Sequence, residues 1–168
     1  YEFNIAKGLY AGPQLEYRGE SLYKVISDGM LESGDVPGSN GFNIMGAGAA
    51  LLYDTRDNIF QPRSGQFHQL RFLHCASLAG DSYGFQRIHA DLRQYIPVYK
   101  QHMLVMQLWY QANFGLTPFQ QLSLLGGSDV MRGFFEGRYR DLQGLAVQSE
   151  YRMPIHRKLG MVWFASAG

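Results

Sequence analysis

Between Tyr83 and Ile96 the chain sets Ile88, Ala90, Leu92 and Ile96 on one parity and Arg87, His89, Asp91 and Arg93 on the other. A side-chain period of two is the mark of a β-strand, and a row of ionisable groups along one face cannot lie in a dry core. One face of such a strand must meet water while the other is unbroken and apolar. The split recurs in His102 to Phe114, where Leu104, Met106, Leu108, Tyr110, Ala112 and Phe114 oppose Gln107, Trp109, Gln111 and Asn113. It recurs again in Leu142 to Ile155, where Leu145, Val147, Tyr151, Met153 and Ile155 oppose Gln148, Glu150 and Arg152. Residues Glu2 to Arg18 divide the same way, with Phe3, Ile5, Leu9, Ala11, Leu15 and Tyr17 against Glu2, Asn4, Tyr10, Gln14, Glu16 and Arg18. Less regular strands are expected over Asn43 to Tyr53 and Gly65 to Ser77, and a last one from Lys158, which makes about seven.

The connections between these strands differ in length in a systematic way. Short turns fall at Tyr99–Gln101 and His156–Lys158, and a longer one runs from Asp54 to Ser64. Long polar loops fall at Glu20 to Gly41 and Gly115 to Arg140, with a modest one near Ala79 to Ser82. Long and short alternate along the chain, which gathers the long loops at one end of an antiparallel up-and-down sheet. Such asymmetry, with an apolar face opposite a charged one, fits a transmembrane β-barrel; a soluble sandwich or lipocalin-like barrel also alternates and has unequal loops, but the unbroken apolar faces and the rows of charge weigh toward the membrane reading. The expected fold is therefore all-β, an antiparallel up-and-down transmembrane barrel. Because single-chain bacterial barrels use an even number of strands from eight upward, seven implies a fragment of a larger barrel domain spanning residues 1–168.

Composition supports this and excludes several alternatives. The 168 residues include 11 Tyr, 11 Phe and 20 Gly, a mixture that favours strands and tight turns. No apolar run reaches the roughly 20 residues of a membrane helix: the longest uncharged stretch, Gln101 to Ser128, is interrupted by Gly115 and Pro118. A net charge of +1 gives no electrostatic reason for nucleic-acid binding. The lone Cys75 forms no intrachain disulfide, and the five histidines have no metal-ligand spacing. Gly46-Ala47-Gly48 opens like a dinucleotide loop, but Leu51 stands where the third small residue belongs, so small residues beside a neighbouring backbone explain it better. Asp54, Asp57 and Asn58 hint at a calcium loop that lacks its bidentate Glu, since Gly65 occupies that place. No G-x-S-x-G elbow occurs. No catalytic residue, metal or cofactor is expected.

Two segments carry more information. One is Tyr53-Asp54-Thr55-Arg56-Asp57-Asn58 through Pro62 to Gly65; the other is Gly126-Gly127-Ser128-Asp129-Val130-Met131-Arg132-Gly133-Phe134, followed by Glu150-Tyr151-Arg152-Met153-Pro154. Their order and spacing across residues 43–168 resemble the C-terminal barrel of the BamA superfamily, which includes surface-antigen insertases, TamA-like assembly factors and two-partner secretion translocators such as FhaC. In that family a D-T-R-D-N…P…G periplasmic turn precedes a strand, and an external loop with G-G…V-R-G-F precedes a strand with E-x-R-x-P. Two departures stand out: Met131 is inserted between Val130 and Arg132, and Ser166 stands where the family often has an aspartate facing the loop arginine.

The resemblance implies a sixteen-stranded barrel preceded by POTRA domains, none of which this chain contains. It also implies a cell outer membrane location in a Gram-negative bacterium and a role, without covalent chemistry, in folding and inserting other barrel proteins. The partners implied are outer-membrane lipids, unfolded outer-membrane protein clients and assembly lipoproteins. A two-partner secretion translocator, a passive pore and the membrane anchor of a fused lipase are the alternatives. Asp54, Arg56, Asp57, Pro62 and Gly65 would form the periplasmic turn, and Gly126, Gly127, Val130, Arg132, Gly133 and Phe134 an inward loop plug. Glu150 and Arg152 would be its lumenal partners. Two unpaired sheet edges would lead the isolated chain to oligomerise edge to edge.

Overall fold

A computed structural model describes residues 3–27, 29–78, 82–156 and 159–168. Eight strands form one antiparallel sheet in chain order: β1 (Phe3–Ala6), β2 (Leu9–Glu20), β3 (Phe42–Asp54), β4 (Gly65–Ser77), β5 (Gly84–Tyr99), β6 (His102–Leu116), β9 (Gln143–His156) and β10 (Leu159–Ala167). The loop between β6 and β9 carries a single 3-10 turn, Phe119–Gln121, and a small hairpin of β7 (Ser123–Leu125) with β8 (Tyr139–Asp141). The sheet is open, with β1 and β10 at its edges. No helix among the described residues is long and apolar enough to cross a membrane.

The expectation of about seven strands undercounts the sheet by one. Residues 3–20 are a hairpin rather than a single strand, reversing at Lys7-Gly8, where Gly8 has a φ of +76° and a Cβ would stand 2.8 Å from the Asp54 carbonyl oxygen. Reversal should move the odd residues of β1 to the other face, but the register slips between Asn4 and Ala6 and pairs Phe3 with Ala11. The bulge therefore preserves parity across the turn and hides it from a pattern of alternation. The expected loop at Ala79–Ser82 and the turn at His156–Lys158 fall partly outside the described residues.

Register divides the sheet into two chemically different faces. Ala11, Leu51, Leu70, Ala90, Tyr110 and Leu145 lie opposite one another, strand by strand, on the bare face. Leu70, Leu108, Leu145, Val147 and Trp163 are exposed there. On the other face Asp54, Phe67, Arg93, Gln107, Gln148 and Ser166 form a parallel row, and the loops fold over it. Its buried apolar groups gather in three places: Phe42, Ile44, Leu73, Cys75 and Phe85 near the long loops, Tyr95, Met103 and Val105 near the turns, and Val130, Met131 and Ala146 beneath the loop between β6 and β9. The loops of residues 21–41 and 117–142 leave from one end of the sheet, and the Lys7-Gly8, 55–64 and Lys100-Gln101 connections from the other. A bare apolar face would be a liability in water and is the requirement in lipid.

Candidate functional site: an inward loop held on the polar face

The loop after β6 reverses over the sheet because its backbone can turn where glycine permits. Gly126, Gly127 and Gly133 all have positive φ, and at Gly126 a Cβ would lie 2.5 Å from the Phe135 carbonyl oxygen. The Gly127 amide donates to the Phe134 carbonyl at 3.0 Å, and Gly126 bridges to Val130, closing a compact tip. Met131, the extra residue in the motif, is absorbed by a left-handed φ of +53° and buries its side chain with Val130 against Ala146. The insertion thus adds an apolar anchor to the tip. Phe134 stays exposed and stacks edge-on with Tyr139, 5.8 Å between ring centroids.

Charge then fixes the tip laterally. Arg132 forms an ion pair with Glu150 on β9, whose side chain is 6% exposed, and lies over the Phe164 ring of β10 at 5.6 Å. Arg152 holds the other oxygen of the same carboxylate, donating from Nε at 2.8 Å and approaching with Nη2 at 2.6 Å. Glu150 is therefore shared by two guanidiniums, one from the loop and one from the wall. With Ser166 paired in register with Gln148, the aromatic Phe164 supplies the second surface that meets Arg132. Next to this, the Asp129 carbonyl accepts from Gln148 Nε2 at 2.8 Å, Gln148 also donates to Gln107, Gln107 donates to Asp91 at 2.9 Å, and Asp91 is paired with Arg93 at 2.6 Å. One polar chain thus runs from the loop tip across three strands.

A second attachment was not singled out from the sequence. Arg87 of β5 donates from Nη2 to both the backbone carbonyl and the side-chain oxygen of Gln121 at 2.9 Å, and from Nε to Asn113 at 2.9 Å. Parity places Arg87 on the polar face, but only the fold reveals that a 3-10 turn of the loop covers it. Loop also meets loop: the Phe119 amide donates to the Pro37 carbonyl at 2.8 Å and Gln120 Nε2 to the Gly38 carbonyl at 2.9 Å. Arg87→Met is expected to leave the Gln121 and Asn113 acceptors unmatched in a buried place, weakening attachment of this turn by about 2–4 kcal/mol. Faster hydrogen exchange at the Gln121 and Leu122 amides, with strand amides unchanged, is the result that would register it.

At the opposite end the turn motif closes on itself. Arg56 donates to Asp54 in a fork, Nε at 2.9 Å and Nη2 at 2.6 Å, and stacks 4.5 Å from the Phe67 ring. Asp57 Oδ1 accepts the Arg63 amide at 2.8 Å and the Ser64 amide at 3.2 Å, while Asn58 Oδ1 accepts the Phe60 and Gln61 amides. Pro62 is buried, and Gly65 has a φ of +106° where a Cβ would strike the Thr55 carbonyl. These residues shape a turn, and among the described residues no group of His, Cys, Asp and Glu could hold a metal ion. The Arg63 and Ser64 amides hold the Asp57 carboxyl below its ordinary value. A carboxyl so lowered stabilises the turn above its ordinary pKa of about 4 and loses that contribution as pH falls through the folded value. Protection of the Arg63 and Ser64 amides is expected to persist at pH 7 and to fall below about pH 4, ahead of the neighbouring strand amides.

An antiparallel up-and-down sheet with one apolar face, one charged face and its long loops at one end is the wall of a transmembrane β-barrel. The Omp85 superfamily domain matches residues 16–168, which takes in both long loops, the 55–64 turn and the Arg132–Glu150 pair. The chain belongs to the Omp85 superfamily of outer-membrane proteins that insert or translocate other proteins. No curated protein matches it.

Proposed function

We propose that this chain is barrel wall of an outer-membrane assembly factor that folds and inserts other β-barrel proteins. The observation that carries the reading is the loop tip anchored on the polar face through Arg132 and the shared Glu150, in a sheet with a bare apolar outer face. A wide barrel without such an insert is a water-filled channel, whereas an inward loop closes the lumen and leaves the wall and its edges as the working surface. Unpaired strand edges can template an incoming strand by β-augmentation, with backbone hydrogen bonds supplying the affinity. In this reading the chain is part of a larger barrel with POTRA domains, in a Gram-negative outer membrane. Its clients are unfolded barrel proteins, and assembly lipoproteins would be its accessory partners.

Reconstitution tests this directly. The full natural protein in liposomes is expected to speed the folding of an unfolded outer-membrane barrel, followed by its heat-modifiable gel mobility, relative to empty liposomes. Transfer of a secreted polypeptide into the vesicle without any effect on barrel folding would make it a translocator. Ion conductance alone would make it a passive pore.

A further inference from the structure

The register that separates the two faces also places a cavity of about 280 Å³ on the inner, polar side of the sheet at its turn end. Pro97 lies opposite Met103, Met103 opposite Arg152, Arg152 opposite Val162, and Pro154 opposite Gly160, all on the face that carries Arg93 and Glu150. A turn from the other half of the sheet completes it. The 55–64 connection joins β3 to β4, yet its Gln61, Pro62 and Arg63 line the same cavity as residues of β9 and β10. The cavity therefore belongs to the lumen and not to the lipid-facing surface.

Its charge is one-sided. Arg63, Lys100 and Arg152 line it, and no Asp or Glu does. Arg63 and Lys100 have no ion-pair partner among the described residues. Arg152 has only a share in one, because Glu150 also pairs with Arg132. Beside these cations the lining is apolar, with Pro97, Met103, Pro154 and Val162. Four strands contribute, β5, β6, β9 and β10. At about 4.8 Å between neighbours they carry the cavity across roughly 14 Å, the reach of about four residues of extended chain. An inorganic anion would leave the apolar lining unused, and an acyl chain would have to leave the bilayer for the lumen. An extended peptide whose side chains alternate acidic and apolar meets both demands.

We propose that this inner rim cavity binds an acidic, extended segment of the unfolded polypeptide that the protein handles. Carboxylates of the segment pair with Arg63, Lys100 and Arg152, and its apolar side chains rest on Met103 and Val162. The identity of the segment as a client rests on the proposed assembly role; the binding of such a peptide does not.

The test is fluorescence anisotropy of the full natural protein in neutral detergent, with a short labelled peptide alternating glutamate and valine and a counterpart in which lysine replaces glutamate. The acidic peptide is expected to bind and the basic one not to. Lys100→Gln should weaken binding about fivefold, the upper end for one exposed ion pair, and Lys100→Gln with Arg63→Gln about twentyfold. Lys24→Gln, which removes an exposed cation from the 21–41 loop at the other end, should leave it unchanged. Arg63 and Lys100 are exposed in turns, and Arg63 serves its turn through the backbone amide, so these variants spare the fold. Equal binding of the two peptides, an affinity unchanged in the Lys100→Gln, Arg63→Gln protein, or an equal loss with Lys24→Gln would each overturn the proposal. Displacement by millimolar inorganic phosphate would overturn it in favour of a simple anion site, and displacement by phosphatidylglycerol in favour of a lipid site. Peptide binding by a protein that folds no client barrel would remove the assembly role and keep the peptide site; client folding by a protein that ignores the peptide would do the reverse.

Discussion

Glu150→Ala in the full natural protein is expected to release the 126–137 loop tip more completely than any other single substitution at the site, by about 3–5 kcal/mol, the range for removing one member of a buried charge cluster. Glu150 is the one ion-pair partner of both Arg132 and Arg152 among the described residues, and its side chain is only 6% exposed. Without it the loop guanidinium and the wall guanidinium face each other stripped of the carboxylate they share. Arg132→Ala is expected to do less, about 1–2 kcal/mol, because Arg152 still satisfies the carboxylate and Arg132 is itself 39% exposed. Arg132→Lys should recover part of that loss, since an ammonium can approach Glu150 but cannot also lie flat on Phe164. Chymotrypsin cleavage after exposed Phe135 follows the loop, and assembly of a client barrel follows function. If Glu150→Ala leaves Phe135 as resistant as in wild type, the loop is held by its apolar contacts and not by charge. If Arg132→Ala impairs assembly while the loop stays resistant, Arg132 acts on the client or the lumen and not as a tether.

Much of this fold is legible in the sequence because the two faces meet different solvents. Lipid or air-dry packing rejects charge, water tolerates it, and a strand between them must alternate, so Leu104 to Phe114 and Leu145 to Ile155 declare both their conformation and their orientation. The one misread strand failed for a local reason: Lys7-Gly8 reverses the chain, and the bulge after Asn4 restores the parity that the reversal would have broken. Within the long loop, no local pattern announces β7, β8 or the 3-10 turn. Those elements are held by partners far away in sequence, Arg87 on Gln121 and Gln148 on Asp129, and only the closed geometry pairs them. Arg132 and Glu150 could be paired beforehand because the family resemblance implied an inward arginine in the loop and the parity count put Glu150 on the polar side. That Glu150 is shared with Arg152, two residues along the same strand, could not be read from spacing alone, since same-face neighbours on a strand need not touch.

Gly48→Val is expected to abolish the folded, heat-resistant form of the barrel, with a loss beyond the roughly 4–5 kcal/mol that marks exceptional substitutions. At Gly48 a Cβ would stand 1.8 Å from the Phe72 carbonyl oxygen, 2.8 Å from its carbonyl carbon and 2.9 Å from Leu73 Cα, all backbone of the paired strand β4. Backbone cannot rotate away as a side chain can, so β3 and β4 would have to part over several residues, exposing ladder groups that lipid cannot satisfy. Gly46 provides the contrast two residues earlier on the same face. A Cβ there meets Cys75 Sγ at 2.9 Å, the end of a side chain, with Leu73 Cδ2 next at 3.5 Å. Gly46→Ala should therefore be mild, about 1–2 kcal/mol of overpacking, and Cys75→Ala should relieve part of it in a double-mutant cycle. Even Gly48→Ala should show no such relief when Phe72 or Leu73 is trimmed to alanine. Urea titration of the unheated folded band measures all of these variants on one scale. A Gly48→Ala protein as stable as wild type would mean that the β3–β4 backbone can spread at this point, and the close approach would then have no part in holding the wall together.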